Sequence, residues 1–153
     1  MASSSIMMRM ARVTRFTAFE DAFYFFNQAK GLPTVSTSEP MMERYVRVSI
    51  LLSWIAFEEA VKGSTQMLLQ RGKITAPVPK RPYDRLAFLL SALSKPVPAQ
   101  SDFMKMRKIR NDIAHANEEK QYAFSYMADD ALSTFKFCLD AATSIWPYDI
   151  TVF

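Results

Sequence analysis

The stretch SEPMMERYVRVSILLSWIAFEEAVKGSTQMLLQ, Ser38 to Gln70, decides the fold. Its apolar residues Val46, Ile50, Leu51, Trp54, Ile55, Phe57, Val61 and Leu68 recur at helical spacing and cover a wide arc. Such a helix must be packed on several sides, so the stretch predicts one long, central, buried helix. Ser38 is expected to cap it, with Pro40 tolerated in its first turn. The Arg71-Gly72 pair is expected to end it near Leu69 or Gln70.

The rest of the chain reads outward from that helix. Upstream, TAFE has the capping-box form, with Thr17 at the N-cap and Glu20 three residues on. Phe19, Ala22, Phe23 and Phe26 then follow a helical period until Gly31 and Pro33. Downstream, RGKITAPVPKRP has three prolines and no period, so it reads as a loop. A short helix is expected from Tyr83 to Leu93, then the connection SKPVPAQ. A fourth helix, capped by Ser101 or Asp102, runs through Phe103, Met106 and Ile109 toward Asn117. A last helix starts near Asp129 and Asp130, acids suited to a helix N-terminus, and stops at Pro147. Strand signals are nearly absent. The expected fold class is all-α, an antiparallel bundle of about five helices.

Composition narrows the function. The chain has 153 residues, half of them hydrophobic, enough for one real core. Its single cysteine, Cys138, allows no intrachain disulfide and suits a reducing, cytoplasmic location. No apolar run is long enough to span a membrane. Arg9, Arg12 and Arg15 precede the first acid, Glu20, and loosely resemble a transit peptide. The plainer reading is a basic, frayed N-terminus over residues 1–15. The formal net charge is +4, a modest surplus that is unevenly spread. Arg71, Lys73, Lys80, Arg81 and Arg85 crowd one segment, against Asp84 alone. Lys105, Arg107, Lys108 and Arg110 crowd another, with no acid among them. These two segments are the candidate contacts for an anionic partner such as RNA, the other reading of the first being a solvated loop kept soluble by its charge.

The second basic segment runs into KIRNDIAH, which holds the only histidine, His115. On an ideal helix Arg110 and His115 lie about 140° apart. Asn111 (i, i+4) and Asp112 (i, i+3) are the near neighbours of His115. Arg110 must therefore reach round, or the helix must loosen before His115, or a second chain must supply the opposing half. The residue types fit work on a phosphodiester. Arginine matches phosphate oxygens with a planar charged fork. Histidine exchanges a proton near neutral pH. RNA carries its own nucleophile, the 2'-hydroxyl, so the chemistry needs neither metal nor cofactor. No zinc cluster, phosphate-binding loop or dinucleotide fingerprint is present.

RNDIAH resembles the R-x4-H signature of HEPN domains, including the polar residue directly after the arginine. The resemblance implies one HEPN-like helical domain over residues 1–153. It implies a homodimer in which two copies of the motif meet in one cleft. It also implies a metal-independent endoribonuclease of a toxin–antitoxin or defence system, with an antitoxin protein as a further partner. On that reading Arg110 binds phosphate and stabilises charge, His115 transfers the proton and Asn111 organises the pocket. One departure stands out: relatives paired with a nucleotidyltransferase antitoxin carry a tyrosine close after the histidine, whereas Tyr122 lies seven positions on. The competing reading is a non-catalytic helical dimerisation module that binds nucleic acid or a protein.

Two carboxylates are candidate supports. Asp112 lies within the motif. Glu58 lies among Leu51, Trp54, Ile55 and Lys62, so it is expected to be buried and paired with Arg110 or Lys62. It then either orients Arg110 and tunes His115, or forms a purely structural ion pair. Lys73, Lys80, Arg81, Arg85, Lys105 and Lys108 are the candidate nucleic-acid contacts. Tyr83 either stacks on a base or begins a helix in the core. Cys138, with no second cysteine or histidine beside it, is expected to be a buried thiol. Met7, Met8 and Met10 are candidates for a dimer face.

Overall fold

The computed structural model describes residues 13–33, 35, 38–115, 126–147 and 149–151. Among the described residues, five helices form an all-α bundle: α1 (Thr17–Lys30), α2 (Glu39–Gln70), α3 (Pro82–Ala92), α4 (Gln100–Ala114) and α5 (Ala128–Ile145). One short parallel ladder joins the two ends of the described chain. Val13–Arg15 (β1) pairs with Asp149–Thr151 (β2), Val13 opposite Asp149. β1 therefore takes up the last residues of the segment expected to fray. Residues 1–12, with Met7, Met8 and Met10, lie outside the described residues.

The 32-residue α2 is the axis of the bundle, as the sequence predicts. One face packs against α1 and α5, while α3 and α4 cover another part. Small buried residues let the neighbours approach: Ser49, Ser53, Ala56, Ala60 and Ser64 all lie on buried positions of α2. Two of these serines also tie elements together. Ser49 donates to the Ala22 carbonyl of α1 at 2.7 Å, and Ser64 donates to the Ile145 carbonyl at the end of α5 at 2.9 Å. Each satisfies its buried hydroxyl, which would otherwise be costly.

Aromatic rings fill the core. Trp54 meets Phe57 edge-on at 5.3 Å and Phe103 at 5.7 Å, so α2 and α4 are joined through rings. Phe19 and Phe103 are fully buried, and each such side chain contributes about 1.5–3 kcal/mol of burial. Phe16 packs edge-on against Trp146 at 5.1 Å, closing the bundle beside the ladder. Trp146 also explains Gly63: a Cβ there would lie 2.6 Å from the Trp146 ring.

Helix starts differ from the sequence expectation. α1 begins after Phe16, not with a side-chain cap from Thr17, and Ser38 makes no cap bond to α2. The Phe16 carbonyl accepts from the amides of Phe19 and Glu20, and the burial of its ring fixes that start. α4 begins after Ala99 rather than at Ser101 or Asp102. Helix ends are better defined. At α2, Lys73 N–H donates to Leu68 and Gly72 N–H to Leu69, with Gly72 left-handed at φ +67°. α3 ends in the same pattern, with Ser94 at φ 55° where glycine is usual. The expected continuation of α4 to Asn117 is not seen: α4 stops at Ala114, and Asn117 lies outside the described residues.

Candidate anionic-ligand cleft

A cleft of about 210 Å³ opens beside α2. Trp54, Phe57, Glu58 and Val61 of α2 form one wall. Lys80 and the first turn of α3, with Pro82 and Arg85, form another, and Arg107 and Arg110 of α4 close it. Arg107 and Arg110 share this wall because they are i, i+3 neighbours on one helix face.

Three of the side chains are set by named contacts. The Arg110 Nη1 donates to Asn111 Oδ1 at 3.1 Å, and its Nη2 lies 3.7 Å from Glu58 Oε1. Arg85 Nε donates to the Pro79 carbonyl at 2.9 Å, which fixes the loop to α3. Glu58 thus has Arg110 as its partner. It is not buried, however: its side chain is 56% exposed. The helical period of α2 stays apolar at this height, but the neighbouring helices part there and leave Glu58 in the cleft mouth. The expectation of a buried ion pair is corrected to a half-open one.

The other motif residues lie elsewhere on α4. His115 is the C-cap residue, exposed, with its N–H donating to the Asn111 carbonyl at 2.9 Å. It does not line the cleft. Asp112 faces away from Arg110. Its carboxylate accepts from Lys108 Nζ at 2.6 Å and from the Tyr126 hydroxyl at 2.5 Å. These bonds hold the Asp112 carboxyl below the usual carboxylate value, Lys108 contributing most and Tyr126 next. Burial, and then the bond to Asp112, pushes the Tyr126 phenol up to about 12.

The candidate nucleic-acid contacts divide in the same way. Lys80 and Arg85 converge with Arg107 and Arg110 in the cleft. Arg81 is the exposed N-cap residue of α3. Lys105 and Lys108 are exposed on α4 outside the cleft. Lys73 lines a second pocket of about 360 Å³, with Arg71, Lys95 and Trp146. Arg107 is an addition to the candidate contacts expected from the sequence; its three-residue spacing from Arg110 is the signal that places it on the same helix face. Tyr83 is partly buried against the core: its hydroxyl donates to the Pro98 carbonyl at 2.8 Å and its ring packs on Phe103.

The two basic pockets are not electrostatically alike. The second is lined by residues from the last turns and caps of α2, α3 and α5, Leu68, Arg71, Leu93, Ile145 and Trp146. Its cations offset the negative ends of helix dipoles. The cleft instead sits at the N-terminal end of α3, where the helix adds to the positive field. An anion is therefore favoured in the cleft.

Cys138 is fully buried, and burial, with a smaller contribution from the charge of Glu58, pushes its thiol well above the usual range. It is an inert packing group. Among the described residues no cluster of three metal-ligating side chains occurs, and no helix is long and apolar enough to cross a membrane. No protein-family model matches the chain, and no match was found among curated proteins or solved structures.

Proposed function

We propose that the chain is a HEPN-type, metal-independent endoribonuclease acting as a homodimer in a toxin–antitoxin or defence system of the cytoplasm, neutralised by an antitoxin protein. The observation that carries the reading is the setting of Arg110. Its guanidinium is held between Asn111 and Glu58 at the edge of a cleft that also presents Lys80, Arg85 and Arg107. In the proposed reaction Arg110 binds the scissile phosphate and stabilises the charge that builds on it. His115 takes the proton of the 2'-hydroxyl. The oxygen attacks phosphorus, the 5'-oxygen of the next nucleotide leaves with a proton, and a 2',3'-cyclic phosphate remains. Two copies supply two histidines, one as base and one as acid. Lys105, Lys108, Arg81 and Lys73 would carry flanking phosphates over the surface.

The placement of His115 outside the cleft favours a second reading, a binding module in which the cleft holds an anion and His115 takes no part. Mixing variants separates the two. Arg110→Ala and His115→Ala are each expected to lose RNA cleavage. Mixed dimers of His115→Ala with the parent hold a single histidine in their one cleft, so they should cleave far less than the parent dimer. Parent-like cleavage by the mixed dimers would count against a composite site, and RNA binding with no cleavage by the parent would favour the binding module.

A further inference from the structure

The cleft carries more positive charge than one phosphodiester requires. Lys80, Arg85, Arg107 and Arg110 come from three separate segments and face one cavity, against the single carboxylate of Glu58. The surplus is three charges, 4 − 1, within about 210 Å³. Along an RNA strand each internal phosphate brings one charge, and a ribose separates it from the next. We propose that the cleft binds a chain of two or more linked phosphates, as borne by a nucleoside triphosphate or by the 5' end of an RNA.

The local geometry suits such a ligand. The bond from Arg85 Nε to the Pro79 carbonyl anchors that guanidinium from behind and leaves its two terminal amino groups for phosphate oxygens. Lys80 and Arg107 have no hydrogen-bond or ion-pair partner among the described residues, so their charges are uncommitted. The α3 N-terminus at the same cleft adds its dipole, and Asp84, the acid of that first turn, is not in the lining. Pro82 and Val61 give the cavity apolar sides, which keep water from screening the charges. Every one of these groups belongs to a single chain. The inference shares Arg110 with the ribonuclease reading but needs neither His115 nor a second copy.

The test is calorimetric titration of the full chain at low salt with inorganic tripolyphosphate and with orthophosphate. Tripolyphosphate is expected to bind at least about tenfold more tightly. Arg107→Gln, which breaks no contact among the described residues, should weaken tripolyphosphate binding by roughly tenfold or more. Lys136→Gln removes an exposed charge on α5 outside the cleft and should leave it unchanged. A nucleoside triphosphate is then compared with short RNAs bearing a 5'-triphosphate or a 5'-hydroxyl. The tighter of the two triphosphates names the source. Equal binding of orthophosphate and tripolyphosphate, or unchanged affinity in Arg107→Gln, would overturn the inference. RNA cleavage without any preference for linked phosphates would sink this inference alone. Tripolyphosphate binding without cleavage would sink the ribonuclease reading alone.

Discussion

Arg110 Nη2 lies 3.7 Å from Glu58 Oε1, linking the last turns of α4 to the middle of α2 across the mouth of the cleft. Both side chains are partly open to solvent, 34% and 56% exposed, so the pair contributes less than about 1 kcal/mol to stability. Its larger effect is on the field of the cleft. Glu58→Gln should leave the urea midpoint nearly unchanged while raising affinity for RNA at low salt, and the gain should shrink as salt is added. A loss of affinity would show instead that Glu58 acts by orienting Arg110.

Gly63 and Trp146 are in conflict over space. Alanine normally stabilises a helix interior by up to about 1 kcal/mol relative to glycine. Here the new Cβ would meet the Trp146 ring at 2.6 Å, and overpacking typically costs about 1–3 kcal/mol. Gly63→Ala should therefore be net destabilising. In a Trp146→Ala background the same change should become neutral or stabilising, a reversal that a double-mutant cycle measures directly.

Two helix ends use the same left-handed residue with different side chains. Ser94 at φ 55° bears a Cβ that the conformation disfavours, whereas Gly72 at φ +67° does not. Ser94→Gly should raise stability by up to about 1 kcal/mol, and Gly72→Ala should lower it by a similar amount. Chemical denaturation of the two single variants checks both signs.

Asp112 and Tyr126 shift each other's titration in opposite senses. The depressed Asp112 carboxyl contributes stability that is present above its ordinary value of 3.8 and is lost as pH falls through its lowered value. The raised phenol behaves the other way. Its contribution is complete below 10.0, the ordinary tyrosine value, and is lost as pH rises through about 12. Phenolate absorbance should show a late step near 12 that disappears in Tyr126→Phe and moves earlier in Asp112→Asn.

The long helix was legible because its signals were many and local. Eight apolar residues kept one period, and Arg71-Gly72 supplied a left-handed stop. Helix starts were not, since neither Thr17 nor Ser38 uses its hydroxyl as a cap. Phe16 instead fixes α1 through tertiary burial against Trp146, which no local pattern reveals. The ladder of β1 and β2 was invisible for a related reason: three residues per strand carry no period, and their pairing partners are at opposite ends of the chain. In the site, the sequence offers Arg110 or Lys62 as the partner of Glu58, and the fold brings Arg110 to it. The exposure of Glu58 is not legible in the sequence, because apolar spacing marks one helix face without telling where its neighbours part. Lys80, Arg85 and Arg107 were visible as charge, but only the fold brings them round one cavity.

The measurement closest to the central claim is cleavage of a labelled, structured RNA in EDTA by the parent protein, beside a His115→Ala variant of equal fold and oligomeric state. The account predicts cleavage by the parent, products ending in 2',3'-cyclic phosphate, and loss of cleavage in the variant. Equal cleavage by both proteins, or none by the parent on several RNAs, would contradict it.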